Sequence, residues 1–269
     1  MGWFEEIFAY DVFEKVTEVL TINPSTGEYS SAWNAVSAVY HNAMVPIALG
    51  LMIIWFLVAF MDKSASEQVS FEQLFILFAK LIAAKFLIDN GFEIFTSLWN
   101  LGISLISEVG NSFADGEGVT FSYKALWKDL TGVAWGGKLN LWTSLGLLCQ
   151  LLIPWLVSKV MIACVYCICY SRLIEMLVRM LAAPIALSDF MSEGLHGAGW
   201  RYLKNFLAIC LQGLLIVAIA QMYPLIMGGV LTGTGSFWTV ILKFIAFSFS
   251  AIALMFKSLS LSKELVGTS

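Results

Sequence analysis

Charge is what this sequence lacks most. Aspartate, glutamate, lysine and arginine make up 13% of its 269 residues, against about a quarter in an ordinary soluble domain. The balance is slightly acidic, a net charge of -4, and leaves no basic footprint for nucleic acid on a soluble face. Histidine occurs only as His41 and His196, far apart and without neighbours that would complete a triad, which argues against an enzyme. No G-x-x-x-x-G-K-[ST] motif is present, so the chain has no phosphate-cradling loop of its own and energy must come from a partner or a gradient. The glycines of "GTG" at 233–235 and "GLHGAG" at 194–199 lack the strand, helix and downstream acid of a dinucleotide site and read as loops. The five cysteines, Cys149, Cys164, Cys167, Cys169 and Cys210, all fall in apolar segments and imply no disulfide framework. "CVYCIC" offers three thiols but neither a fourth ligand nor the closed polar shell of a zinc site. Cys167 and Cys169, just before Arg172, are at most positions for acylation. No catalytic, cofactor-binding or metal-ligating residue is expected.

What is present is apolar length. Hydrophobic residues make up 59% of the chain, in runs too long for the core helices of a soluble domain, so the fold class is an all-α integral membrane protein. We expect about five transmembrane helices and an interfacial elbow helix on the cytoplasmic side. Two regions follow: residues 1–32, an amino-terminal amphipathic helix and turn lying outside, and residues 33–269, a polytopic transmembrane domain. The first 20 residues, with five acids against one lysine, lack the basic n-region of a secretory signal and are expected to be retained. Phe4, Phe8, Val12, Val16 and Val19 form a stripe at helical spacing, and the acidity around it favours packing on protein over binding to anionic lipid.

The first span reads "AMVPIALGLMIIWFLVAFM", residues 43–61, with Pro46 placed to kink its junction with the preceding "SAWNAVSAVYHN". The next helix opens on a cap signal, Ser70 with Gln73, and Val69 stapled onto Leu74. Residues 71–110 read either as one long tilted span or as two helices folded at Asp89, Asn90 and Gly91. The single span is the expectation, because neither half offers about 20 clean apolar residues. A glycine- and aromatic-rich connection follows at residues 111–138, longer than usual and of the kind that carries contacts. Three more spans are expected at residues 141–170, 205–226 and 237–256.

Orientation follows lysine and arginine. Arg172, Arg179, Arg201 and Lys204 connect spans three and four, none lies between four and five, and Lys257 and Lys263 follow the last. The carboxyl terminus and the elbow are then cytoplasmic and, with five spans, the amino terminus outside; Lys124, Lys128 and Lys138 pull mildly the other way, and an extra hairpin at Gly91 would reverse the amino terminus. Within the elbow, Arg172, Glu175 and Arg179 share a helical face and can pair. Pro184 and its small neighbours end that helix, and Trp200, Arg201, Tyr202 and Lys204 form an aromatic and cationic anchor.

An apolar helix with spaced cations, then "APIAL", a glycine-rich stretch and a tryptophan followed by a further span resembles the TrbL-type polytopic subunit of type IV secretion and conjugation systems. The resemblance covers mainly residues 140–256, with Trp200 at the family's tryptophan and Ala183, Pro184 and Ala186 at its small-residue turn. It implies a channel or platform component, homo-oligomeric, working in a bacterial cytoplasmic membrane with other secretion subunits and separate ATPases, and in transient contact with transferred DNA or protein. A small-solute or ion transporter, and a scaffold without a conduit, are the other readings. Lys80, Lys85, Lys159 and Lys243 lie within apolar segments; they either snorkel or pair with Asp89 and Glu93, or face a conduit or lipid vestibule suited to an anionic substrate.

Overall fold

The computed structural model describes residues 16–26, 29–65, 71–114, 141–192, 196–231 and 237–268. Among these residues no strand occurs, and the elements are α1 (Ser30–Val39), a π-helical turn (Tyr40–Met44), α2 (Val45–Ala65), α3 (Phe71–Asp89), α4 (Gly91–Ala114), α5 (Leu141–Ser188), a 3-10 turn (Asp189–Met191), α6 (Ala198–Leu231) and α7 (Phe237–Val266). Residues 16–20 are also helical. Four segments are long and apolar enough to cross a membrane: Ser30–Ser64, Trp155–Met191, Ala198–Met227 and Ile241–Val266. Their large side chains point outward as often as inward. Ile53, Ile54 and Leu57 on α2 and Leu254 on α7 are exposed, the arrangement expected where hydrocarbon rather than water is the solvent.

The chain forms two compact units. Unit 1 comprises residues 1–21, 105–171 and 213–258, and unit 2 comprises 22–104, 172–212 and 259–269. Unit 1 closes around Val16, Leu20, Ile106, Met161, Val165, Ile216, Phe244 and Met255. Its polar exceptions are satisfied. Tyr223 and Ser248 share a buried hydrogen bond of 2.9 Å, and Ser248 also donates to the Phe244 carbonyl at 2.8 Å. Val16 is fully buried and Val19 packs on the same cluster, so the described end of the amino-terminal stripe covers protein. Phe4, Phe8 and Val12 lie outside the described residues. Unit 2 closes around Trp33, Tyr40, Phe95, Trp99, Met176, Met180 and Phe206.

The region expected to be one span is two helices. Asp89, Asn90 and Gly91 are poor helix formers, and the Asn90 side chain donates to the Phe86 carbonyl at 2.9 Å, competing with the backbone for that acceptor. Helical bonds continue from Asn90 N–H to Phe86 and from Ile94 N–H to Asn90. Between them the hydroxyl of Tyr40 enters the ladder. It donates to the Ile88 carbonyl at 3.2 Å and accepts the Phe92 N–H, so one phenol takes the place of the i to i+4 bond from Ile88 to Phe92. Tyr40 opens the π-helical turn, where the Val45 N–H reaches five residues back to the Tyr40 carbonyl. Pro46 follows at once and has no N–H to continue the regular ladder. Ser70 and Val69 of the cap signal lie outside the described residues.

Three helices outrun their expected spans. α5 is unbroken for 48 residues, about 72 Å at 1.5 Å per residue, so the elbow helix is its direct continuation. Pro184 does not end it. A proline deletes one N–H bond, to the Met180 carbonyl, and Ala182, Ala183 and Ala186 around it crowd nothing, so helix persists to Ser188. α6 carries Pro224 and continues to Leu231, and α7 continues through the cationic tail to Val266. Most of the connection at residues 115–140 lies outside the described residues.

Candidate functional site

The elbow of unit 2 is the best-defined constellation, and it is tied down from three directions. Asp189 stands at the turn. One carboxylate oxygen accepts the Ala198 N–H at 2.6 Å, at the start of α6, and the other accepts the Ser192 hydroxyl at 2.7 Å. A carboxylate there satisfies an orphan donor and complements the positive end of the helix dipole, worth about 1 kcal/mol for a capping contact of this kind. Gly199 then allows α6 to touch α5: a Cβ at that position would lie 2.8 Å from the Ala186 carbonyl oxygen and 2.6 Å from the Phe190 ring. From α3, Lys80 reaches across to donate to the Ser192 carbonyl at 3.3 Å.

The second tie lies about three turns back along α5. Tyr202 of α6 donates to the Arg179 carbonyl at 2.6 Å, while the Arg179 guanidinium is bridged to Glu175 at 2.8 Å. The ion pair is partly exposed, and an i, i+4 pair of this type contributes only about 0.3–0.5 kcal/mol. Lys204 lies over the Trp200 ring at 5.9 Å, a similarly modest cation–π contact. Trp200 is half-buried and Arg201 exposed. Ala183 and Pro184 are buried, Ala186 half-buried.

Arg172 departs from the expected face. It is 5% exposed, turned inward, with Nε donating to the Ile209 carbonyl at 3.1 Å and the terminal nitrogen to the Cys210 carbonyl at 3.4 Å. The reason lies in the periodicity of burial. Arg172, Met176, Met180, Ala183 and Leu187 recur at spacings of four and three and form the buried seam of this part of α5, whereas Ile174 and Val178 are exposed. The guanidinium thus bonds main-chain acceptors at a depth where an unsatisfied charge would be costly.

The third tie joins the elbow to the α3–α4 break. A Cβ on Gly91 would overlap the Tyr40 hydroxyl and come within 3.0 Å of Leu187 Cδ1, near the end of α5. Tyr40, Gly91 and Leu187 therefore meet at one point, to which Trp33 and Phe92, 5.2 Å apart, add aromatic packing.

The four candidate lysines divide between the two units. Lys80 belongs to the elbow, and Lys85 is exposed on α3 of the same unit. Lys159, half-buried, and Lys243, exposed, belong to unit 1. Asp89 and Glu93 are exposed. Cys169 and Cys210 are buried, Cys164 is half-buried, and only Cys167 of the "CVYCIC" run is exposed. Asp189, Gly199, Tyr40 and Gly91 were not singled out from the sequence as parts of this site. Asp189 caps a helix nine residues away, outside any capping spacing, and a tyrosine inserted into a distant helix leaves no local pattern at all.

Long apolar helices, an outward apolar surface and a polar elbow anchored by charge define the class: a multi-pass, all-helical membrane protein. The chain belongs to the TrbL/VirB6 plasmid conjugal transfer-like family, whose model matches residues 11–184. No curated protein and no solved structure matches the chain. The matched range starts far earlier than the 140–256 expected from the sequence, and shares only residues 140–184 with it. It includes Ala183 and Pro184 and stops before Ala186 and Trp200, so it assigns Trp200 no family position. Membership makes the chain a membrane component of a multi-subunit conjugal transfer system.

Proposed function

We propose that the chain is a channel or platform component of a conjugative type IV secretion system, acting in the bacterial cytoplasmic membrane as a homo-oligomer while separate ATPase subunits supply energy. The supporting observation is the elbow: a helix of 48 residues, matched by the family model up to residue 184, ends at Asp189, Lys80 and Tyr202, which bond across to neighbouring helices. A polar corner of this kind suits a docking point for cytoplasmic partners and for a moving substrate.

The elbow and carboxyl terminus are cytoplasmic, as the distribution of lysine and arginine favours, and the amino terminus is outside if the four candidate spans are joined by one further crossing. With the native cysteines replaced, a cysteine at Ser192 should escape an impermeant thiol reagent in intact cells; labelling there would reverse this orientation. Function is tested by plasmid transfer from donors carrying Trp200→Ala. Loss of the ring removes the cation–π contact and the packing at the start of α6, so transfer should fall at least tenfold at unchanged membrane abundance. Normal transfer would reduce the elbow to an anchor.

A further inference from the structure

Two neighbouring helical rods of unit 2 are interrupted at one level. On the first, the π-helical turn Tyr40–Met44 separates α1 from α2, and Pro46 just beyond it has no N–H for the ladder. On the second, the break at Asn90 and Gly91 separates α3 from α4. The two levels coincide, because the Tyr40 hydroxyl donates to the Ile88 carbonyl and accepts the Phe92 N–H. π-turns, prolines and groups inserted into the i to i+4 ladder are the places where helices bend. An intact helix alongside would splint a single defect of this kind. Here each rod's neighbour is itself defective, and α5 adds no splint, since it ends at Ser188, one residue past the Leu187 that meets Gly91.

Beyond that level α2 and α3 form a hairpin. Its arms pack on each other, with the Phe56 and Phe78 rings 5.6 Å apart, while Met61, Phe71, Phe75 and Ile82 are exposed. Those outward faces have no protein contact to lose when the hairpin tilts. The elbow turn holds it on the inner side. The 3-10 turn Asp189–Met191 touches both arms, and its Met191 is fully buried in the cluster that contains Met52 of α2 and Leu77 and Ala84 of α3. Lys80 of α3 donates to the Ser192 carbonyl at 3.3 Å, and Asp189 ties the turn to the start of α6.

We infer that the α2–α3 hairpin swings as a body about the level of Tyr40 and Gly91, and that the elbow turn is the latch holding it in the described position. The joint has the form of a hinge, in which a few residues at the ends of packed elements absorb the motion. Anything that engages the turn at Ser192 thereby sets the angle of the hairpin.

Paired spin labels on the full chain in lipid nanodiscs, with the five native cysteines replaced, test this by double electron–electron resonance. Phe75→Cys on α3 and Ser97→Cys on α4, both exposed, lie on opposite sides of the hinge, about 22 residues and 33 Å apart along the helices at 1.5 Å per residue. Phe71→Cys with Phe86→Cys, both on α3, is the control within the hairpin. With Lys80 in place each pair should give one narrow distance. Lys80→Met removes a charge-assisted bond and should shift the equilibrium about tenfold or more toward the swung position, so a second distance should appear across the hinge while the control pair stays unchanged. Adding Tyr40→Phe and Gly91→Ala, which lets the Ile88 to Phe92 bond close, should abolish that second distance. A single distance that persists even when Met191→Ala is added to Lys80→Met would overturn the latch. A second distance that survives Tyr40→Phe with Gly91→Ala would place the bend elsewhere and overturn the hinge. A change in the control pair would show the hairpin coming apart instead of swinging, and would overturn the motion as a body.

Discussion

Gly199→Val should destabilise the protein by about 2 kcal/mol, the range for overpacking a tight contact, and lower membrane abundance and transfer together. A Cβ at this position meets the Phe190 ring, which can rotate, and the Ala186 carbonyl oxygen at 2.8 Å, which is main chain and cannot. Relief requires α6 to move off α5, and that movement breaks the Asp189 contact to Ala198 and the Tyr202 contact to Arg179. Gly50→Ala on α2 is the control. Nothing lies within 4 Å of a Cβ there, so the substitution should be neutral or stabilising by up to about 1 kcal/mol through helix propensity. Thermal unfolding in detergent separates the two variants. Equal behaviour would mean that α5 and α6 are not in contact at the turn.

Tyr40 and Gly91 should show strong coupling in a double-mutant cycle. Tyr40→Phe alone strands the Ile88 carbonyl and the Phe92 N–H, at a cost of about 1–3 kcal/mol for buried unsatisfied groups. Gly91→Ala alone drives a methyl group into the phenol oxygen, again about 1–3 kcal/mol. Together each removes the other's obstacle. Without the hydroxyl the alanine has room, the Ile88 to Phe92 bond can close, and alanine favours the helix over glycine by about 1 kcal/mol. The double variant should therefore be at least 1 kcal/mol more stable than the sum of the single effects. Additivity within about 0.5 kcal/mol, the behaviour of independent sites, would show that Tyr40 does not hold the break open.

The membrane architecture was legible because it is written in composition. Runs such as residues 43–61 exceed what a soluble core tolerates, and that run falls almost wholly within α2, Val45–Ala65. The ends of the helices were less legible. Pro184 reads as a terminator, yet a proline removes one bond from a ladder of many, and α5 continues through it to Ser188. The break at Asn90 was visible as one of two readings, but what holds it open was not, since Tyr40 lies 48 residues away in sequence. Arg172 was misplaced for the same kind of reason. Spacing alone groups it with Glu175 and Arg179, and only the position of α6 decides which side of α5 is inside.

The central claim, that copies of this chain surround a conduit, is tested most directly by imaging the protein purified in lipid nanodiscs and counting its subunits. The account predicts a closed ring with an open axial cavity. A monomer, or a ring whose axis is filled by apolar side chains, would contradict it.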